Sequence, residues 1–264
     1  MKKYLVIGKP IEHSLSPELH NYWIKKNNID AIYEKQELNR IDLQEFILKI
    51  KNKEINGANV TVPFKQEIIP YLDELSKEAI NTRSVNTIYL SNNKVVGHNT
   101  DITGFELALK DIQFKVSGKK IFILGAGGVV PSIIYALNKI KVSSIFLSNR
   151  TKSKAENLKN LFENIKILEW GKIPDFDIII NATSVGLKNE DEINLDFSRI
   201  EKGKLFYDVI YNPSETKFLK DGKKLKNKTE NGKKMFIYQA AAAFKIWHGI
   251  QPEISNETMK LIDQ

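Results

Sequence analysis

Apolar residues along this chain fall into short runs and helical stripes that alternate from end to end. Residues 3–7, Lys-Tyr-Leu-Val-Ile, form a run stopped by Gly8 and predict a buried strand. Pro17 suits a first helical position, so Ser16 reads as an N-cap, with Leu19, Tyr22 and Trp23 as the apolar face of the helix. Residues 31–38 suit a strand. Asp42, with Glu45 three residues later, predicts a capped helix in which Leu43, Phe46, Ile47 and Ile50 repeat at helical spacing. After the Asn56-Gly57 turn, Ala58, Val60 and Val62 alternate with Asn59 and Thr61, which predicts a strand with one apolar face. Pro63 ends that strand and opens a helix, placing Lys65 in its first turn. A helix over 73–80, a hairpin through Ser91-Asn92-Asn93 and a helical stripe of Phe105, Ala108, Leu109 and Ile112 follow.

Past a turn at 115–120 the pattern changes. Ile121 to Leu124 is a continuous apolar run, as in a parallel strand covered on both faces, and it leads into Gly125-Ala126-Gly127-Gly128 and a helix starting near Val129. Further strands are expected at 144–148, 166–168, 177–180 and 205–210, with helices between some of them, which is the pattern of a doubly wound α/β domain. A long helix over 235–248, stopped by Gly249 and carrying four consecutive alanines from Ala240 to Ala243, closes the pattern. No internal repeat is present.

Composition narrows the class. A chain of 264 residues with 42% apolar and 27% charged content has room for one large or two modest domains. No run of eighteen apolar residues occurs, and the first eight residues hold too short an apolar stretch for a signal peptide, so a soluble, cytoplasmic protein with no membrane partner is expected. The absence of cysteine removes disulfides, thiolate metal sites and cysteine nucleophiles; the four scattered histidines show no pair at metal-ligand spacing, and no metal is expected. The net charge of +8 is spread through loops and helix faces, so nucleic acid is not the expected partner; such a field draws small anions.

Several residues carry candidate chemistry beside an ordinary structural role. Lys65 faces the positive end of a helix dipole, which disfavours its charged form unless an anion or carboxylate compensates. A solvated surface lysine is the alternative; the polar Asn59 and Thr61 face leading to it favours a site. Ser14 and Ser16 sit at a helix N-terminus, where they can either cap the helix or hold a carboxylate. Asp101 precedes a helical stripe and reads either as an N-cap or as a partner for Lys65. The glycine cluster at 125–128 lets backbone approach a pyrophosphate, although Val130 stands where the third glycine of the usual dinucleotide fingerprint falls. One strand later, Asn149, Arg150 and Thr151 occupy the place of the acidic residue that binds a ribose hydroxyl in NAD enzymes. They suit a 2′-phosphate, and so NADP.

Asn59-Val60-Thr61-Val62-Pro63-Phe64-Lys65 resembles the signature of the shikimate dehydrogenase family, NADP-dependent enzymes that interconvert 3-dehydroshikimate and shikimate. Further segments match the family in order from residue 8 to residue 249, among them Asn99-Thr100-Asp101 to Phe105, Asn149-Arg150-Thr151, Asn181-Ala182-Thr183-Ser184 and Gln239 to Phe244. The resemblance implies an α/β protein of two domains: a substrate domain of residues 1–101 and 235–264, and a Rossmann-type NADP domain of 102–234, with the active site in the cleft between them. It implies Lys65 as catalytic acid/base with Asp101 as its partner, Ser14 and Ser16 on the substrate carboxylate, and Thr61, Asn86, Tyr211 and Gln239 on the rest of the substrate. It places the cofactor on Gly125, Ala126, Gly127, Gly128, Asn149, Arg150, Thr151 and Lys154, with Asn181, Thr183, Ser184, Val209 and Gly232 completing the cofactor cleft. A monomer or homodimer acting on a small molecule is expected. Related readings are a quinate/shikimate dehydrogenase of broader choice and a non-catalytic metabolite-binding homologue. Two departures stand out: Val129-Val130 where many members have Ala-Ser, and Lys234 where the family has a glycine.

Overall fold

In the computed structural model, which describes residues 1–188 and 191–263, the apolar runs become the strands of two sheets. The first sheet comprises β1 (Lys2–Gly8), β2 (Ala31–Glu37), β3 (Gly57–Val60), β4 (Glu74–Leu75), β5 (Thr87–Ser91) and β6 (Lys94–His98), in the order β2-β1-β3-β5-β6-β4. β1 lies parallel to both β2 and β3, whereas β5 runs antiparallel to β3 and β6. Asn92 and Asn93, at φ 48° and 61°, give the hairpin its two left-handed turn residues. Helices α1 (Ser16–Lys26), α2 (Leu43–Lys51), α3 (Phe64–Glu67) and α4 (Lys77–Thr82) connect these strands. The helical repeat of Leu43, Phe46, Ile47 and Ile50 packs with Leu5, Ile7, Ala58 and Val60 in one buried core.

Four local expectations are corrected. α1 begins at Ser16 itself, whose N–H donates to Ser14 Oγ at 3.3 Å, so Ser16 is a helical residue and not the cap. The capping box lies at Asn39 and Asp42, around a short 3-10 turn, and not at Asp42 and Glu45. No helix covers Asp73: its carboxylate accepts the Val95 N–H at 2.8 Å, β4 follows, and Ser76 caps α4. β3 ends at Val60, and Val62, beyond the buried part of the ladder, is 59% exposed, so it does not extend the apolar face.

α5 (Asp101–Asp111) leads to the second sheet: β7 (Lys120–Leu124), β8 (Ser144–Ser148), β9 (Ile165–Leu168), β10 (Ile178–Asn181), β11 (Leu205–Asp208) and β12 (Lys228–Glu230). All of its pairs are parallel and the order is β12-β11-β10-β7-β8-β9, so strand order reverses between β7 and β10. Helices α6 (Val130–Ile140), α7 (Lys152–Leu161) and α8 (Lys217–Lys224) belong to this half. β7 and β10 are buried along nearly their whole length, which explains why they read as unbroken apolar runs. α9 (Lys233–His248) starts two residues before the expected 235, because Asn231 Oδ1 accepts the Lys233 N–H at 3.1 Å; α10 (Asn256–Lys260) ends the order. Gly249 follows α9 at φ +70° and stops it.

The chain divides into two compact units, Met1–Gly104 with Ile237–Ile262, and Phe105–Phe236 with Asp263. The chain passes from one to the other within α5 and again within α9. In the first unit, the Trp247 indole N–H donates to Ile88 O at 3.0 Å, and a Cβ on Gly57 would fall 2.5 Å from the indole nitrogen, so glycine is what lets α9 lay Trp247 across β3 and β5. Among the described residues no helix is long and apolar enough to cross a membrane, and no group of three or more His, Asp or Glu could hold a metal ion.

Candidate active site

Lys65 and Asp101 reach one another from α3 and α5. Lys65 follows Phe64, the first residue of α3, and its carbonyl accepts the Val85 N–H at 2.8 Å, which ties the helix start to the segment entering β5. Asp101 opens α5, and its N–H donates to Asn99 Oδ1 at 3.1 Å. Because Asn99 serves that amide, the Asp101 carboxylate is available elsewhere: Lys65 Nζ donates to Oδ2 at 2.6 Å and Asn86 Nδ2 to Oδ1 at 2.8 Å. Both ends of the ion pair are buried, with side-chain exposures of 11% and 7%. Two charges removed from water this far need close contact and further hydrogen bonds, and they have both.

Asn86 gathers the rest of this cluster. Its Nδ2 also donates to Thr100 Oγ1 at 2.9 Å and to Gln239 Oε1 at 3.3 Å, while its Oδ1 accepts the Thr100 N–H at 2.7 Å. α9 therefore delivers Gln239 to the same amide that touches Asp101. Behind it, Asn59 Nδ2 donates to Asn86 O at 3.0 Å, and the Tyr33 hydroxyl donates to Asn59 Oδ1 at 2.7 Å. Burial raises the Tyr33 hydroxyl well above its ordinary pKa, opposed by a hydrogen bond with Ser16. Tyr33 thus links the Ser16 end of the unit to the strand that carries Asn59. Ser14 is half-buried, Ser16 is buried, and Thr61, whose N–H donates to Ile7 O at 2.9 Å, is half-buried. Tyr33 and the buried His20, which stacks on Tyr33 at 4.2 Å, carried no signal in the sequence beyond their residue types.

In the second unit a pocket of about 200 Å³ opens past the carboxyl ends of β7, β8 and β10, where the strand order reverses. Gly125, Ala126 and Gly127 form one side, Asn149, Arg150, Thr151 and Lys154 another, and Ala182, Thr183, Ser184 and Val185 a third, with Trp170 completing the lining. Gly125 adopts φ +108°, and a Cβ there would meet Ala182 O at 2.7 Å, so the turn requires glycine. Arg150 and Lys154 are exposed and make no ion pair among the described residues. Asn149 Nδ2 donates to Thr151 O at 2.8 Å, fixing the turn that presents Arg150. Trp170 belongs to no sequence motif, and only the fold brings it to this wall.

Other expected cofactor residues stand away from that lining. Gly128 belongs to the glycine turn. Asn181 is wholly buried behind the pocket wall, where its Oδ1 accepts the Thr183 N–H at 3.1 Å and the Thr183 hydroxyl at 2.7 Å. Gly232 packs on Val209 so closely that a Cβ would fall 2.0 Å from Val209 O. Tyr211 stacks on Phe236 with ring centroids 4.3 Å apart. Lys234, at the family's glycine position, lies 3.7 Å from an Asp111 carboxylate oxygen.

A parallel sheet whose order reverses beside a glycine turn, with a cation-rimmed pocket at the reversal, places the second unit in the doubly wound α/β class of nucleotide folds. Residues 6–88 match the family model described as the shikimate dehydrogenase substrate binding domain, 106–208 that of shikimate / quinate 5-dehydrogenase, and 234–256 that of the shikimate 5'-dehydrogenase C-terminal domain. The chain is 58% identical over 262 residues to the shikimate dehydrogenase (NADP(+)) of Pelagibacter ubique, covering 99% of both chains. Its fold is similar to the crystal structure of shikimate dehydrogenase from Aquifex aeolicus, with TM-score 0.91, 38% identity, and coverage of 99% and 97% of the two chains. It is also similar to the Thermus thermophilus enzyme in complex with NADP(H) and shikimate, with TM-score 0.90, 28% identity, and coverage of 100% and 98%. The chain belongs to the shikimate dehydrogenase family.

Proposed function

We propose that this protein reversibly reduces 3-dehydroshikimate to shikimate with NADPH, a step toward chorismate and the aromatic amino acids. The observation that carries this reading is the buried Lys65–Asp101 pair, 2.6 Å apart, with Asn86 on the other carboxylate oxygen. Lys65 supplies a proton to the alkoxide as it develops at the carbonyl, and recovers it in the reverse direction. Asp101 orients the ammonium and holds a ring hydroxyl. Ser14 and Ser16 take the substrate carboxylate at the start of α1, while Thr61, Asn86, Tyr211 and Gln239 read the remaining oxygens.

The hydride comes from NADPH when that cofactor is bound. The pocket of the second unit fits such a group. Gly125 leaves the space beside Ala182 O that any side chain would fill, α6 offers amide donors to a pyrophosphate, and Arg150 with Lys154 suits a 2′-phosphate. Ala126, Gly127, Gly128, Asn149, Thr151, Asn181, Thr183, Ser184, Val209 and Gly232 shape the rest of that cleft. We take the protein to be cytoplasmic, a monomer or homodimer, with no nucleic-acid partner.

The test is direct: purified protein is mixed with shikimate and NADP⁺ at mildly alkaline pH, and the reduced-nicotinamide absorbance is followed. Growth with that pair alone supports the reading. Comparable rates with quinate or NAD⁺ replace it with a broader dehydrogenase, and binding of NADPH without turnover of any pair replaces it with a non-catalytic homologue.

A further inference from the structure

Asp208, the last residue of β11, is a wholly buried carboxylate whose three hydrogen-bond donors are all neutral and come from three separate segments. Asn181 Nδ2, at the end of β10, donates to Oδ1 at 3.1 Å; the Ile210 N–H donates to the same oxygen at 3.0 Å; the Thr216 hydroxyl, which caps α8, donates to Oδ2 at 2.6 Å. Asn181 in turn uses every polar position it has. Its second N–H donates to Val185 O at 3.0 Å, its Oδ1 accepts from the N–H and hydroxyl of Thr183, and the Val185 N–H donates to Thr183 Oγ1 at 3.0 Å. Thr183 and Val185 form one wall of the nucleotide pocket.

The polarity of this relay is set by groups that cannot change role. An amide can present either its oxygen or its NH₂ in a given direction, and only its neighbours decide which. An ionised carboxylate and the Val185 carbonyl accept and never donate, and the Thr183 N–H only donates, so Asp208 and Val185 take the two hydrogens of the Asn181 NH₂ and the amide oxygen falls to Thr183. Burial pushes the Asp208 carboxyl up to about 6, against the pull of its three hydrogen bonds, so it is ionised at neutral and alkaline pH. With no acceptor at 208 one buried Asn181 N–H is left without a partner, and the side chain loses the anchor that holds its oxygen against the Thr183 N–H and hydroxyl.

We propose that Asp208 is a positioning residue for the nucleotide pocket: by anchoring the inner N–H of the Asn181 amide it holds the Thr183–Val185 wall in its binding shape. The proposal rests on the pocket being the NADP(H) site, and the measurements separate the two. NADP⁺ and NADPH dissociation constants are measured by calorimetry for the wild type and for Asp208→Ala, Asp208→Asn and Thr216→Val, together with KM for each substrate. A wild type that does not bind NADPH overturns the pocket reading itself.

Given wild-type binding, Asp208→Ala is expected to weaken both cofactor forms about tenfold or more, since it takes the acceptor from the inner Asn181 N–H as well as from the Ile210 N–H and the Thr216 hydroxyl. KM for shikimate should change by less than about twofold, since no substrate contact is altered. Asp208→Asn should restore affinity, because its carbonyl can face Asn181 and Ile210 while its NH₂ meets a Thr216 hydroxyl that rotates to accept. Thr216→Val, which removes the α8 cap and the Oδ2 contact but leaves Oδ1 in place, should lower stability without weakening the cofactor. Amide exchange at Thr183 and Val185 should quicken in Asp208→Ala alone. If Asp208→Ala does not fold, Asp208→Ser takes its place: a serine hydroxyl can still serve the Ile210 N–H in a local turn but falls short of Asn181. Unchanged cofactor affinity in a folded Asp208→Ala or Asp208→Ser protein overturns the proposal, as does an equal loss in Thr216→Val.

Discussion

Lys65 Nζ stands 2.6 Å from Asp101 Oδ2 across 36 residues of sequence, and Asn86 Nδ2 holds the other carboxylate oxygen at 2.8 Å. The carboxylate is therefore fixed at both ends, which fixes the direction from which the ammonium can act. Replacing Lys65 by Ala should reduce turnover by roughly 10²- to 10⁴-fold, the scale of a lost general acid or base, with a much smaller change in KM. Steady-state rates with shikimate and NADP⁺ decide this. A variant with near-normal turnover would remove Lys65 from the chemistry.

Arg150 lines the pocket while making no ion pair among the described residues. Its guanidinium suits the extra phosphate of NADP, a charge-assisted contact of about 1.5–3 kcal/mol. Arg150→Ala should thus raise the NADP⁺ dissociation constant about tenfold or more while leaving NAD⁺ almost unaffected. Equal losses for both dinucleotides would show that Arg150 does not read the 2′-phosphate.

At Gly125 the backbone adopts φ +108° and approaches Ala182 O more closely than a Cβ allows. Gly125→Ala should cost about 1–3 kcal/mol of stability from backbone strain alone and push the β10 exit loop away from the turn. Thermal melts and NADPH titration read the two effects separately. A variant with wild-type melting and affinity would mean that the turn yields without consequence.

His20 is fully buried among Trp23, Tyr33, Phe244 and Trp247, and neither ring nitrogen has a hydrogen-bond partner among the described residues. Burial, aided by the charge of His248, lowers its pKa from 6.5 to about 3. Below pH 6.5 the unfolded chain takes up a proton that the folded chain refuses, so this contribution to stability is complete above 6.5 and is lost as pH falls toward 3. By pH 5 the loss is about 2 kcal/mol. His20→Phe, which keeps a ring in the stack, should lose less stability between pH 7.5 and pH 5 than the wild type in denaturant titrations. Parallel losses in the two proteins would locate the acid sensitivity elsewhere.

The sequence made plain those features that rest on neighbours along the chain. The apolar runs of β7 and β10, the Asn92-Asn93 hairpin, the glycine turn and the place of Lys65 at a helix start all follow from local rules. Local rules also misplaced four features, because Ser16, Asp42, Asp73 and Val62 have partners, or exposure, that a neighbouring segment decides. Asp73 shows why: its side chain serves the Val95 amide, and nothing in residues 70–80 announces that β6 lies beside it. Tyr33 beside Asn59, Asp208 beside Asn181, and Trp170 on the pocket wall depend in the same way on strand order. A sequence lists donors and acceptors; the register of distant strands decides which of them meet.

The Asn86 side chain has two hydrogens on nitrogen and three oxygens within reach of them, on Thr100, Asp101 and Gln239. The oxygen on Thr100 carries a hydrogen of its own, and its hydroxyl lies 3.1 Å from Asn86 Oδ1 and 3.1 Å from the Thr87 hydroxyl. Two rotatable hydroxyls thus stand beside an amide whose own hydrogens cannot turn, and rotating either one re-aims a donor without moving any backbone, so this corner can exchange one acceptor for another at the cost of a torsion and not of a strand.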